Sequence, residues 1–250
     1  MKKICEAMAA TPLFAGMEHD AYHQHCRDAN LRLHGKGQLI AMEGTICQGI
    51  GVIIEGQAAR QKYTPTGEYT TLNLLSPGTI FGEDLIFSSH RHYPYSLEAL
   101  TLVKTVQISR EDILALISTS PRLLLNYMAY LSDRGTEQDQ RIHLLSQKTL
   151  RLKIAGYLLS LLEEQLEMEN KTLRQALEVP TTSSVLLPVS KEVVSRLLAM
   201  PRPSFSRELI SMEKDGLIRV SGRNIWLMDI RGIACGLYED CDDDDDDDKE

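Results

Sequence analysis

The chain has 250 residues, 43% hydrophobic and 25% charged, enough to bury one large core or two modest ones. No apolar run approaches the roughly 18 residues that a membrane span needs, and the start, Met-Lys-Lys-Ile-Cys-Glu6, lacks the apolar segment of a signal peptide, so a cytoplasmic protein with no membrane partner is expected. The net charge of -8 belongs to one end: ten of 35 acidic and one of 27 basic residues lie from Glu239 onward, leaving 25 against 26 for residues 1 to 238.

The five cysteines, Cys5, Cys26, Cys47, Cys235 and Cys241, contain no Cys-x-x-Cys pair and are odd in number, which argues against a zinc ribbon or a disulfide framework. They are read as reduced structural residues, with a redox role for Cys26 or Cys47 as the alternative. Residues 3 to 27 read as short helical pieces broken around Thr11-Pro12. His19 and His23 are four apart and can share a helix face, but the pattern supplies no further ligands, so a solvated face is expected there rather than a metal site. From Leu31 to Ile108 short β-prone runs take over, at Gly51–Ile54, Thr70–Leu75, Ser96–Leu100 and Leu102–Ile108, with glycines at 35, 37, 44, 49, 51, 56, 67, 78 and 82 between and within them. This pattern predicts a compact antiparallel barrel or jelly roll over residues 1–120, whose closed double sheet leaves room for a small ligand.

Ser109-Arg-Glu-Asp112 opens a short helix to Ile117, and Pro121 starts a long one. Leu124, Met128, Leu131, Gly135, Gln138, Ile142 and Leu145 recur at alternating steps of 4 and 3, a heptad seam that wants a partner helix. Residues 121–146 are therefore expected to be a dimerisation helix, with a single helix buried against the barrel domain as the alternative. Gly135 and Gln138 interrupt the seam together, the first leaving a gap and the second an amide. Ser146 to Thr149 read as a hinge, Leu150 to Leu162 as the first helix of a further domain, and Glu163 to Ser184 as a mobile connection.

Within residues 147–238, Val193, Val194, Leu197 and Leu198 lie on one side of a helix with Ser190 as its N-cap. Ala199 to Pro201 break the pattern, and Pro203 falls in the first turn of a second helix with the stripe Phe205, Leu209, Ile210 and Met212. Leu217–Val220, Ser221-Gly-Arg223 and Asn224–Met228 come next as strand, tight turn and strand. The module is a winged helix-turn-helix. With Phe205 and Leu209 turned inward, Arg202, Ser204, Ser206 and Arg207 stand where a recognition helix meets base edges, flanked by Ser190 and Arg223. Arginine grips guanine with two prongs, serine pairs with bases or phosphate, and the helix N-terminus favours phosphate. Ser190 to Arg231 holds eight Lys or Arg against five Asp or Glu, a mildly basic balance suited to phosphate. Residues 239–250 read as a disordered acidic tail; Asp-Asp-Asp-Asp-Lys249 resembles an enteropeptidase site, so the tail is either native or an added tag.

Ser190-Lys-Glu192, Arg202-Pro-Ser-Phe-Ser-Arg-Glu-Leu209, Asp215-Gly-Leu-Ile218 and the wing resemble the DNA-binding domain of the Crp/Fnr transcription regulators, the cyclic-AMP receptor protein family. Ser76-Pro-Gly-Thr-Ile-Phe-Gly-Glu-Asp-Leu-Ile-Phe87 resembles the phosphate-binding cassette of cyclic-nucleotide-binding domains. The resemblance implies an α+β architecture: an N-terminal cyclic-nucleotide-binding-like β jelly roll, a long dimerisation helix and a C-terminal winged helix-turn-helix. It implies a homodimeric regulator on palindromic double-stranded DNA, with RNA polymerase as a further partner and an unknown small-molecule effector at the β-roll.

In that cassette the glutamate after Phe-Gly meets the ribose, and a following Arg-Ser or Arg-Thr pair holds the cyclic phosphate. Glu83 matches the glutamate, but Tyr93-Pro94 occupies the Arg-Ser position. This forgoes a charge-assisted contact worth about 1.5 to 3 kcal/mol, so cyclic AMP is not the expected effector. Arg134 matches an arginine that joins the pocket glutamate, and the resemblance implies an effector pocket among Glu83, Tyr93, Tyr95, Arg134 and Gln138. The alternative is a structural Glu83–Arg134 pair without a ligand. The iron–sulfur cysteine cluster of oxygen-sensing relatives has no counterpart, and neither a cofactor nor enzymatic activity is expected. Two rival readings are a sensor module without DNA binding and a cupin-like metal-dependent enzyme using His90-Arg-His92 and Glu98, which lacks the second histidine motif of cupins. Pro203 and Ala199 depart from the resembled family, which often carries a base-reading glutamate and a turn glycine there.

Overall fold

The computed structural model describes residues 2–20, 22–23, 30–178 and 182–237; Cys26, Cys241 and the expected acidic tail at 239–250 lie outside them. The chain divides into two compact units, residues 1–139 and 140–250, with the division inside the long helix.

The first unit opens with α1 (Lys2–Ala9) and a 3-10 turn at Pro12–Phe14, where the break at Thr11-Pro12 was expected. Eight strands come next: β1 (Asn30–His34), β2 (Leu39–Ala41), β3 (Gly49–Glu55), β4 (Ala58–Tyr63), β5 (Tyr69–Leu75), β6 (Ile80–Phe81), β7 (Ser96–Ala99) and β8 (Val103–Ser109). They form two four-stranded antiparallel sheets, ordered β1-β8-β3-β6 and β2-β7-β4-β5. This is the expected jelly roll. One apolar cluster, with Ile53, Leu75, Phe81, Leu97 and Val103, includes residues of both sheets. A second cluster joins β3 and β8 to the N-terminal segment and the later helices through Met8, Phe14, Ile50, Val106, Ile113, Leu116, Leu123 and Tyr127. Gly51 is required where β3 meets β6, because a Cβ there would come within 1.9 Å of the Phe81 ring.

Helix α2 (Arg110–Thr119) begins at Ser109, whose Oγ accepts from the Asp112 amide at 3.0 Å, and Glu111 and Asp112 complement the helix dipole in its first turn. Helix α3 (Pro121–Leu145) buries Leu123 and Tyr127. Leu124, Met128, Leu131 and Ile142 of the seam remain 40, 60, 37 and 63% exposed in the single chain.

In the second unit α4 (Leu150–Met168) starts at Thr149, which accepts from the Leu152 amide at 3.2 Å. It runs six residues past the expected end because Glu163-Glu-Gln-Leu-Glu-Met168 consists of strong helix formers. The expected mobile connection to Ser184 also contains α5 (Leu173–Glu178) and the start of β9 (Ser183–Leu186). Then come α6 (Lys191–Leu197), α7 (Arg202–Lys214), β10 (Ile218–Ser221), β11 (Asn224–Leu227) and α8 (Ile230–Ala234). The wing is a three-stranded sheet, β10-β11-β9, in which Val185 pairs with Ile225. Helix α8, in a stretch with no clear sequence pattern, is capped by Asp229 accepting from the Gly232 amide at 2.9 Å. No helix among the described residues is long and apolar enough to cross a membrane.

Candidate functional site

The turn between α6 and α7 sets the angle of the helix-turn-helix. The amides of Ala199 and Met200 bond back to the carbonyls of Arg196 (3.1 Å) and Ser195 (2.8 Å), a Schellman closure that needs a left-handed residue at Ala199. Ala199 accordingly has φ of 51°, in the place where glycine would be unstrained. Phe205, Leu209 and Met212 anchor α7 in the core, whereas Ile210, expected to join that stripe, is 53% exposed. It lies one position round the helix from Leu209, off the buried face.

That anchoring leaves the first turn of α7 outward. Arg202 is 66% exposed and its Nη1 stands 3.5 Å from Glu192 Oε2. Arg207 is exposed, with its Nη2 3.5 Å from Ser204 Oγ. Ser204 and Ser206 are half-buried beside them. Ser190 caps α6, its Oγ accepting from the Val193 amide at 3.4 Å, and Arg223 at the tip of the wing donates to the Pro188 carbonyl at 3.3 Å. All six expected residues lie on the helix-turn-helix and wing. Sequence reasoning missed the buttress of α7: Arg151 of α4 reaches Glu208 at 2.7 Å, Ser211 at 2.9 Å and Asp215 at 2.7 Å. The hydrogen bond to Glu208 and the other contacts raise the Arg151 pKa despite some burial. Its signal was an arginine in the first turn of α4 with three acceptors spaced along one face of the later helix.

Of the five residues expected to form one effector pocket, Glu83, Tyr93, Tyr95 and Arg134 adjoin one another, directly or through Arg60. Glu83, 1% exposed, is held mainly by Arg60 of β4, whose Nη2 lies 3.0 and 3.4 Å from its two oxygens. Arg134 is secondary, with Nε at 3.8 Å, and its Nη1 bonds Glu137 at 2.6 Å. The Arg60 guanidinium lies 4.9 Å over the Tyr95 ring. The Tyr127 hydroxyl donates to the Glu83 carbonyl. Burial pushes the Glu83 carboxyl up against the pull of Arg60; burial also opposes the Arg60 charge, but Tyr95 and Glu83 outweigh it and hold it cationic. Tyr93 packs edge-on to Tyr95 and lines a separate cavity of about 130 Å³ with Arg32, His34, Thr105 and Gln107, which none of the other four residues lines. Gln138 is exposed. Arg60 was missed because it reads as one polar residue of a short run, Ala58-Ala-Arg-Gln-Lys-Tyr63; the available signal was that a buried Glu83 demands a cation. Among the described residues, His90, His92 and Glu98 do not gather as a ligand set, and Glu98 accepts instead from the Tyr63 hydroxyl at 2.6 Å.

Residues 31–120 match the cyclic nucleotide-binding domain family, and residues 152–235 match the Crp-like helix-turn-helix domain family. The chain is 27% identical over 233 residues to the Cyclic AMP receptor protein of Thermus thermophilus, covering 92% of this chain and 100% of that one. It is 24% identical over 201 residues to the Nitrogen fixation regulation protein FixK of Bradyrhizobium diazoefficiens, covering 79% and 78%. The structure of FixK2 from Bradyrhizobium japonicum shares the fold at a TM-score of 0.63 and 18% identity, over 82% of this chain and 95% of that one. A CooA mutant from Carboxydothermus hydrogenoformans does so at 0.66 and 20%, over 83% and 87%. With a cyclic-nucleotide-binding fold, a long helix and a Crp-like helix-turn-helix in that order, the chain belongs to the Crp/Fnr family of transcription regulators.

Proposed function

We propose that the chain acts as a homodimer that reads a palindromic double-stranded DNA site with the first turn of α7, in the cytoplasm beside RNA polymerase. The observation that carries this is the exposure of Arg202 and Arg207 on a helix whose other face is locked by Phe205 and Leu209. Arg202, Ser204, Ser206 and Arg207 would meet bases, with Ser190 and Arg223 on phosphates. The exposed aliphatic seam of α3 supports pairing with a second copy, and a two-fold dimer matches a two-fold site. The ion pair of Glu192 with Arg202 is a switchable competitor for the same guanidinium, so base contact includes breaking it.

The signal is proposed to be other than cyclic AMP. Arg60 and Tyr95 fill the space beside Glu83 with the chain's own side chains. A small molecule or other input at the β-roll would then act by moving this internal occupant. Selecting genomic fragments bound by the purified protein tests the DNA reading: a recovered palindrome is expected, and Arg202→Ala should lose about 1 to 3 kcal/mol of specific binding and relax the site at one position per half. Unchanged selectivity in Arg202→Ala and Arg207→Ala would sink the assignment. Cyclic AMP should leave the melting temperature unmoved, whereas a ligand at a hundredfold excess over its Kd would add about 2.7 kcal/mol.

A further inference from the structure

Three potential metal ligands converge at the N-terminal edge of the first unit. Cys5 of α1 places its Sγ 3.6 Å from His23 Nδ1. The His19 and His23 rings lie 4.6 Å apart between centroids, tilted by 41°. One ligand atom from each of Cys5, His19 and His23 lies within 4.8 Å of the other two. The histidine spacing shows in sequence, but the cysteine lies well before both and arrives only through the fold.

We propose that Cys5, His19 and His23 bind one divalent transition-metal ion, of the zinc or cobalt class, and that this ion ties α1 to His19 and His23 within the N-terminal segment. With Zn–S near 2.3 Å and Zn–N near 2.05 Å, tetrahedral geometry sets an S···N separation of about 3.6 Å and an N···N separation of about 3.3 Å. The Cys5–His23 pair already stands at the first value. His19, whose side chain is half exposed, can close the remainder by a rotamer change. Thiolate with two imidazoles suits zinc and its neighbours rather than calcium or magnesium, and three protein ligands leave a fourth position for water or an exogenous donor. Loading the site replaces the thiol proton with the metal, so one proton leaves per ion bound from Cys5.

The same segment packs against the start of α3. Met8, Leu13, Phe14 and Tyr22 belong to the core cluster that includes Leu123 and Tyr127 of that helix. The Asn126 amide donates to the Leu13 and Ala15 carbonyls at 3.0 and 2.9 Å. An ion that orders Cys5 against His19 and His23 therefore braces the start of the long helix.

The test is a cobalt titration of the full chain after chelator treatment and dialysis. One Co²⁺ per chain is expected, with a thiolate-to-cobalt charge-transfer band and the strong visible bands of a tetrahedral site, both displaced by Zn²⁺. Cys5→Ser should abolish the charge-transfer band, and His19→Ala should weaken binding about tenfold or more. His90→Ala is the control and should titrate like the parent. Because Cys5 is buried, Cys5→Ser can fail to fold; His19→Ala, at an exposed position, then decides the matter. Absence of a charge-transfer band in the parent, or a His19→Ala titration indistinguishable from it, overturns the proposal.

Discussion

Replacing Arg60 by methionine should isolate the buried ion pair. The substitution keeps an unbranched side chain over Tyr95 but strands Glu83, which is 1% exposed. Removing one partner of a buried pair costs about 3 to 5 kcal/mol. The geometry adjusts this in two ways. Arg134 stands 3.8 Å away and offsets part of the loss, although its Nη1 is committed to Glu137; the lost stacking on Tyr95 adds about 0.5 to 2 kcal/mol. A net destabilisation of about 3 kcal/mol is expected, or roughly 1.5 M in the urea midpoint at a slope near 2 kcal/mol/M. The chain's single tryptophan, Trp226, lies in β11, so its fluorescence tracks the second unit while far-UV dichroism also sees the β-roll. The dichroism transition should move and the fluorescence transition should not. The penalty also has a pH signature. A carboxyl whose folded pKa is raised favours the fold at low pH and opposes it as pH climbs, so the deficit should be full above the raised folded pKa of Glu83 and shrink as pH falls through it toward the ordinary glutamate value. Arg60→Met with Glu83→Leu should recover most of the loss. A midpoint shift under about 0.5 M, or a double variant no better than the single, would refute the reasoning.

Ala199→Gly relieves a left-handed alanine worth about 1 to 2 kcal/mol against about 0.5 to 1 kcal/mol of added chain entropy, so the Trp226 transition should rise by about 0.5 to 1 kcal/mol. A drop would show that the turn carries no strain. Arg151→Ala should cost the second unit about 1 kcal/mol, since the guanidinium is 39% exposed. It should also weaken DNA binding evenly across sequences, because it loosens α7 without touching bases; a changed site preference would contradict its role as a buttress. Burial raises the phenol pKa values of Tyr93, Tyr95, Tyr127 and Tyr130, the last to about 12. Above the ordinary value near 10 the unfolded state releases protons that the folded state keeps, so stability should fall as pH rises from about 10 through 12. Tyrosinate absorbance from these four should lag until dichroism is lost; their full titration near pH 10 with the fold intact would exclude these burials.

The features legible in the sequence were those written in short-range pattern. The seam from Leu124 to Leu145, the inward Phe205 and Leu209, and the Gly222-Arg223 turn each derive from periodicity or turn chemistry within a few residues. Features written across distance escaped. Strand β9 is a strand because Val185 finds Ile225, forty residues on, and nothing in Ser183-Ser-Val-Leu186 outweighs the preceding polar stretch. Arg60 becomes the partner of Glu83 only when β4 lies against the cassette, and its own run gives no sign of burial. The expected Glu83–Arg134 pairing exists at 3.8 Å, but the family pattern pointed to the weaker of the two cations. Tyr93 and Gln138 were both grouped with Glu83; Tyr93 packs against Tyr95 beside the Arg60–Glu83 pair, whereas Gln138 is exposed.

The position of Arg60 changes what a cassette of this kind can report. Where a cation from β4 pairs with the buried glutamate, the chain itself supplies the partner of Glu83, although burial still raises that carboxyl and leaves Arg60 Nε and the Tyr95 hydroxyl without a hydrogen bond among the described residues. A cyclic phosphate entering here would bring a further negative charge while the nearest guanidinium is already engaged. Displacing an interaction of about 3 kcal/mol lowers an effector's apparent affinity by more than about a hundredfold. An effector that succeeds must therefore offer Glu83 a donor or cation of its own, or leave the pair intact and act on the surrounding aromatic shell of Tyr93, Tyr95 and Tyr127. Arg60→Met separates these routes: it should strengthen a ligand of the first kind and leave one of the second unchanged.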